Sequence, residues 1–375
     1  MSQSEGKFEP TGWGEALREH LPLLTLVALC TAAWLALDAY LGPRFEAELT
    51  YGRTYLGLIQ FYWLPLPFAL AGIRFRLRDP AGGLLPGREG WAAAWAVFKL
   101  RYLHPARVAG AFLAGALLAL TINGFGSWKR SIPSVAPFAW DARLDALDRA
   151  LHGGRLPWEW LQPVLGNLPA TVALDGIYIL WHLLFGVVAA WQVWSADRAL
   201  RAQFLLATVL VWVLLGNVAA TIFSSAGPCW YGLLVPGPAD PYAQLMAFLR
   251  GVHAEWPLVA LQAQDHLWHS YVTHTATPYT GISAMPSVHV AMPVLYVLVA
   301  WRRSRVLGLL FLAYAAAILV GSVHLGWHYA VDGYASIVVV PILWWAAGRL
   351  TSRAAGQRSE RGSANTTPPT VSAAT

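Results

Sequence analysis

Long apolar runs, each near the 20 or so residues that a helix needs to cross a bilayer, constrain this chain more than any other feature. A segment in hydrocarbon must satisfy its own backbone N–H and C=O groups, so runs of this length are helices. Eight are expected, near residues 21–41, 55–73, 107–126, 170–194, 204–223, 286–301, 306–323 and 329–347. The sequence therefore predicts an all-α protein, a polytopic transmembrane helical bundle of about eight spans. Composition agrees: 57% of the 375 residues are hydrophobic and only 12% are charged, outside the range of soluble globular domains. Residues 21–41 read as the first span rather than a cleaved signal, since the run is long, contains Asp38 and has no small-residue cleavage pattern after it. Cys30 in a span and Cys229 in a loop differ too much in membrane depth for a disulfide.

The net charge of +6 does not point to nucleic acid, because the basic residues lie mostly between the apolar runs, where they set topology. An even number of spans puts both ends on one side. If residues 1–19 and the C-terminal tail are cytoplasmic, the inside segments hold 18 of the 26 Lys and Arg, seven of them between Arg74 and Arg107. The positive-inside rule selects that orientation, in the plasma membrane of the cell. Residues 351–375, rich in Ser, Thr, Ala, Pro and Gly, are expected to be a disordered tail.

Chemistry concentrates in residues 283–334. Ser-Ala-Met-Pro-Ser-Val-His ends at His289, and His-Leu-Gly-Trp-His-Tyr-Ala-Val-Asp runs from His324 to Asp332. The second spacing, four and four, predicts His324, His328 and Asp332 along one helical face. Two apolar runs joined by a turn with Arg302, Arg303 and Arg305 separate the motifs and form a transmembrane hairpin, so His289 and His328 return to the same membrane face, outward in the orientation above. Each precedes or opens a descending helix, with Pro286 suited to a first turn, and two helix N-termini are expected to converge on one phosphate-sized site.

At these residues the chain resembles the type 2 phosphatidic acid phosphatase superfamily, and more narrowly its inositol phosphorylceramide synthase-like branch, over residues 120–347. The third superfamily motif usually opens Ser-Arg; here Gly321 and Ser322 stand at the opening, so the phosphate-binding Arg is absent, as in the synthase-like branch. Ser-Trp-Lys-Arg-Ser-Ile-Pro at 127–133, in the loop after the third span, resembles the Lys-x-x-Ile-Pro form of the first motif. The resemblance implies a catalytic membrane domain at 127–347 after three N-terminal spans at 20–126. It also implies a phosphotransferase or phosphatase that acts on membrane lipids without a metal or cofactor. In that mechanism His328 attacks phosphorus, Asp332 orients it, and His289 protonates the leaving oxygen and later deprotonates the acceptor. Lys129, Ser287 and, secondarily, Arg130, Ser322 and His324 would bind phosphate or headgroup. For Lys129 a snorkelling interfacial cation remains the other reading, and for His324 a helix cap.

Residues 139–151 read as an amphipathic helix on the outer interface, with Trp140, Leu144, Leu147 and Leu151 on its apolar face and Asp141, Asp145 and Asp148 on a solvated one. Trp158 and Trp160 suit an interfacial anchor. Asp175 and His182, seven apart in the fourth span, read either as a buried structural pair or as groups below the active site; Asp38 admits the same two readings. Ser224, Ser225 and Gly227 offer hydroxyls and flexible backbone at the end of the fifth span, or simply a turn. The roughly 60 residues after it are too long for a plain connection and suit a lid or acceptor surface, with helical spacing around Leu245 to Val252; His253, His266, His269 and His274 are expected to be solvated. Two other functions stay open: an intramembrane zinc metallohydrolase with His324, His328 and Asp332 or a loop histidine as ligands, and a non-catalytic lipid-binding protein with a relict site. The sequence carries no signal for oligomeric state.

Overall fold

The computed structural model describes residues 13–41, 65–76, 87–103, 105–237, 239–275 and 281–364. No strand occurs among them, and the protein is an all-α bundle as the apolar runs require. In chain order the helices are α1 (Trp13–Leu41), α2 (Pro65–Arg76), α3 (Gly87–Tyr102), α4 (Pro105–Val135), α5 (Asp141–Leu151), α6 (Pro157–Leu165) and α7 (Leu168–Val193). Then come α8 (Arg198–Ile222), α9 (Ala243–Glu255), α10 (Val259–Thr273), α11 (Val288–Trp301), α12 (Arg305–His324) and α13 (Ala330–Ala364). Among the described residues six helices, α1, α4, α7, α8, α12 and α13, are long and apolar enough to cross a membrane. They match six of the expected spans.

The remaining two differ. The expected span at 286–301 is α11, apolar but only 14 residues long. At 1.5 Å per residue it covers about 21 Å, less than the ~30 Å of a hydrocarbon core, so it is too short to cross that core by itself. Residues 55–64 of the expected second span lie outside the described residues. The described remainder is the 12-residue α2, which packs on α3. Helix α3 falls in what reads as a linker; Gly90, Ala94 and Phe98, four apart, are the face it buries.

Helix α11 is the centre. Val290, Ala291, Met292, Leu295, Tyr296 and Val299 are buried against α7, α8, α12 and α13. At the end of the bundle away from His289, the buried Arg107 donates to the Trp194 carbonyl at 2.7 Å. Arg201 donates to the Ser195 carbonyl at 3.3 Å and pairs with Glu19. Both cations thus meet the requirement that buried charge be partnered.

Two boundaries move. Helix α4 continues through Val135, so Lys129 and Arg130 occupy its last turns rather than a loop. Pro133 is tolerated because so close to the helix end it removes little of the hydrogen-bond ladder. At the other end of the chain, α13 runs to Ala364, so residues 351–364 are helical instead of a disordered tail. Arg, Ala, Gln and Glu in that stretch are good helix formers, and extending an existing helix needs no new nucleus. Residues 42–54 and 365–375 and the side chain of Asp38 lie outside the described residues.

Candidate active site

Three backbone segments meet above α11: residues 224–229 after α8, 281–287 before α11, and 325–329 between α12 and α13. Ser225 joins the first two, its carbonyl accepting from Ala284 N–H at 2.9 Å and its Oγ from Met285 N–H at 3.1 Å. Cys229 N–H donates to the Gly326 carbonyl at 3.0 Å, joining the first to the third. Gly227, at φ 113, has no room for a side chain, since a Cβ there would stand 2.6 Å from the Trp327 carbonyl oxygen. Gly281, at φ 124, crosses α4 at Lys129 and Arg130 with a Cβ position only 3.0 Å from their backbone. Segment 281–287 is thereby pressed against the cationic end of α4.

The third segment changes the reading of the second motif. His324 ends α12, Gly326 turns the chain at φ 74, and α13 begins at Ala330, so His324, His328 and Asp332 do not share a helix. His324 points away, its Nε2 at 2.9 Å from Thr171 Oγ1 and its ring edge-on to Phe248. His328 instead turns to Asp332, Nδ1 to Oδ2 3.2 Å, and both are buried. Tyr329 N–H donates to the same oxygen at 3.1 Å. The His289 and His328 ring centres lie 5.9 Å apart. His289 stacks on Tyr178 at 5.0 Å, and its carbonyl accepts from Trp181 Nε1–H at 3.0 Å, so aromatic residues of α7 fix its ring.

Burial brings the His328 pKa down to about 3, with the Lys129 charge acting in the same direction and the Ala284 backbone opposing. The ring is therefore neutral across the physiological range. Lys129 Nζ sits 5.8 Å from the centre of the Phe125 ring, and is close enough to His328 for its charge to be felt there. Arg130 reaches Ser127 Oγ of its own helix at 3.4 Å. Ser287 is fully buried as the N-cap of α11, its Oγ accepting from Val290 N–H at 3.3 Å; Pro286 therefore precedes the helix rather than opening it. Ser322 is fully buried, with Oγ donating to the Leu319 carbonyl at 2.8 Å. Its own carbonyl accepts from the N–H groups of Trp327 and His328, 2.9 and 3.1 Å. Position 322 thus holds the turn from inside, and the cations near the histidines come from α4.

The three aspartates of α5 overturn the solvated-face reading. Asp141, Asp145 and Asp148 are all buried, while Leu147 and Leu151 are exposed. Asp141 accepts from the N–H groups of Ala226 and Gly227 at 2.9 and 2.8 Å and from the Tyr329 hydroxyl at 2.9 Å. Asp148 accepts from Ala330 and Val331 N–H at 2.8 and 3.0 Å. Asp145 accepts from the Tyr242 hydroxyl and pairs with Arg149, both at 3.1 Å. The helix N-terminus at Ala330, expected to bind an anion, is therefore already occupied by a carboxylate, and only α11 offers a helix end beside His289. Spacing of four and three along one helix face was the available signal; it looked like solvated polarity because the partners are backbone groups that no sequence pattern marks. Asp175 does the same for α10, accepting from Val259 and Ala260 N–H at 2.8 and 2.9 Å. It is not paired with His182, which is exposed beside His289 at 6.3 Å. Ser336, also missed, donates to the carbonyls of Ser287 and Asp332 at 2.8 and 3.1 Å and ties the two motifs together.

Above the turn, Trp230, Ala226 and Ile282 form a second small core with Trp268, Tyr271 and Trp327, and Gln264 Nε2 donates to the Leu325 carbonyl at 2.9 Å. Helices α9 and α10 thus fold the long loop over the site. His253 Nδ1 staples it by accepting from Leu258 N–H at 2.9 Å, while His266, His269 and His274 are exposed as expected. Among the described residues no three His, Cys, Asp or Glu side chains are placed to share a metal. His324, the first ligand of the zinc reading, is turned to Thr171 rather than toward His328.

The model of the PAP2 superfamily matches residues 142–346, and the chain belongs to that superfamily of phosphatases and phosphotransferases. No curated protein and no solved structure matches it.

Proposed function

We propose that the protein is a lipid phosphotransferase or phosphatase of the synthase-like type that works through a phosphohistidine. The carrying observation is the pair His328 Nδ1 to Asp332 Oδ2 at 3.2 Å with the His289 ring 5.9 Å from that of His328. Asp332 accepts a hydrogen bond from Nδ1–H and fixes the tautomer, so the Nε2 lone pair of the neutral ring is free to attack phosphorus. The P–O ester bond breaks as the P–N bond forms, and His289 gives its proton to the leaving alkoxide. His289 then takes the proton of water or an alcohol, whose oxygen attacks phosphorus; the P–N bond breaks and His328 returns to its starting form. Lys129 and the N-terminal N–H groups of α11 balance charge on the nonbridging oxygens. Ser287 shapes that helix end through its cap, and Arg130 is the second cation at the rim.

Several observations support transfer over simple hydrolysis. The third-motif Arg is replaced by a buried Ser322, and α9 and α10 cover the site, which restricts water. The charge asymmetry favours a site on the outer face of the plasma membrane. An intact His328–Asp332 pair speaks against a relict site. The test is phosphate release and headgroup exchange by detergent-purified protein on mixed phospholipid and polyprenyl phosphate, with EDTA, native against His328→Ala. EDTA-resistant turnover that vanishes in the variant supports the proposal, and the ratio of exchange to release separates transferase from phosphatase. Turnover that needs metal or survives His328→Ala refutes it.

A further inference from the structure

Helix α7 carries an imidazole that the fold does not use. His182 lies inside the span Leu168–Val193, where an ionisable side chain is costly and marks a partner or a polar pathway. The partner expected for it, Asp175, is taken up with the N–H groups of Val259 and Ala260. Its neighbours on the exposed side of α7, Ile179, Leu180, Leu183 and Val187, are all apolar. What His182 does touch is the site. Its ring centre is 6.3 Å from that of His289, with the planes at 70°, and His289 in turn stands 5.9 Å from His328. Trp181 lies against both, 5.2 Å from the His182 ring and 4.7 Å from the His289 ring, and its Nε1–H donates to the His289 carbonyl at 3.0 Å. Packing therefore fixes the gap between the two imidazoles. Within its own helix His182 Nδ1 meets the Ile179 carbonyl at 3.3 Å. A carbonyl only accepts, so Nδ1 carries the proton and Nε2 of the neutral ring is an acceptor, with no partner among the described residues.

We propose that His182 holds the water that attacks phosphorus, and so sets how much of the phosphoryl group goes to water rather than to an alcohol. The proposal rests on the phosphohistidine reading above. The attacking oxygen must lie beside His289, the base that takes its proton. For ring centres 6.3 Å apart, one oxygen about 2.9 Å from a nitrogen of each ring, with ~1.1 Å from nitrogen to ring centre, sees the two at about 100°. That is near the angle between the two O–H bonds of water. Water thus donates one O–H to His289 and the other to Nε2 of His182. Its oxygen attacks phosphorus, and the P–N bond breaks with its electron pair returning to His328 Nε2. The first proton passes to His289, and the second stays on the phosphate as its hydroxyl. An alcohol has a single O–H, which His289 takes, so His182 gives it no such hold. Helices α9 and α10 restrict bulk water, and His182 admits one placed molecule.

The experiment gives the full chain in detergent a phosphatidic acid radiolabelled in its phosphate, with excess glycerol, and measures inorganic phosphate against glycerol phosphate. Both products come from one phosphoenzyme, so their ratio reports the acceptor step alone and does not depend on the fraction of folded protein. His182→Phe, which removes the acceptor nitrogen and keeps a ring, should lower the ratio of inorganic to glycerol phosphate about fivefold or more, the worth of one hydrogen bond. His182→Gln, whose amide oxygen accepts, should recover most of it, and Leu183→Ala, the next residue on the exposed side, should leave it native. An unmoved ratio in His182→Phe overturns the proposal, as does a native protein that makes only glycerol phosphate. If the native protein makes only inorganic phosphate, His182→Phe should slow its release about fivefold or more while label builds up on His328, and unslowed release overturns the proposal. If it makes neither product, the phosphohistidine reading fails and this inference with it, whereas normal turnover with an unmoved ratio fails the inference alone.

Discussion

Replacing Asp148 with Ala tests whether α5 positions the catalytic turn. Asp148 is 1% exposed and accepts the N–H groups of Ala330 and Val331 at 2.8 and 3.0 Å, directly after His328 and Tyr329. Alanine leaves two buried donors without partners, each worth about 1–3 kcal/mol, so the fold should lose about 2–6 kcal/mol. Relief from burying a carboxylate near Asp332 offsets part of this. Asp148→Asn keeps one acceptor oxygen and removes the charge, so its loss should be about half or less. Freed from its cap, the turn lets His328 drift, and a misplacement of about 1 Å is worth ~100-fold in rate. The assay is thermal unfolding in detergent beside kcat/KM on dihexanoyl phosphatidic acid, measured well below each variant's Tm. Asp148→Ala should fall in both readouts, with kcat falling and KM nearly unchanged, and Asp148→Asn should recover most of the activity. An alanine variant with native kcat/KM at a temperature where it is folded would refute the positioning role, whatever its Tm.

Further outcomes follow from the same geometry. Burial raises the Asp148 pKa to about 6; the folded state then holds this proton more tightly than the unfolded chain. Its stabilising contribution is full below about pH 4 and lost as pH rises through about 6, so the Tm decline across that window should flatten in Asp148→Asn. Asp332→Asn should reduce kcat about 10²–10⁴-fold by loosening control of the His328 tautomer, with binding of a nonreactive lipid phosphonate unchanged by calorimetry. Gly227→Ala forces φ 113 on a side chain that would meet the Trp327 carbonyl at 2.6 Å; it should cost at least 1–3 kcal/mol by thermal unfolding and slow turnover, because Trp327 adjoins His328.

Much of the fold was legible because a hydrocarbon solvent leaves the backbone few options: six apolar runs became six long helices. In the candidate site, His289, His328 and Asp332 could be picked out by residue type and order, and the structure brings these three together. Depth and direction were not. Period-four spacing put His324 in line with His328, but Gly326 at φ 74 breaks the helix between them, and a glycine in an apolar run gives little sign of which torsion it adopts. The aspartates of α5 looked solvated because their hydrogen-bond partners are main-chain N–H groups from segments about 80 to 180 residues away, at Ala226 and Val331. Amphipathic periodicity reports that a helix has two faces; which face meets protein and which meets lipid depends on those distant partners. The continuation of α4 past Lys129 was hidden by Pro133, which is an effective breaker only when it stands well inside a helix.

The most direct measurement of the central claim is capture of the covalent intermediate. Native protein mixed with radiolabelled phosphatidic acid, quenched in alkali and digested, should carry label on the His328 peptide, with the acid lability of a phosphohistidine. His328→Ala should carry none, and His289→Gln, which lacks both the acid of the first step and the base of the second, should gain and lose label more slowly than the native protein. Full turnover without label at His328, or label on another residue, would contradict the account.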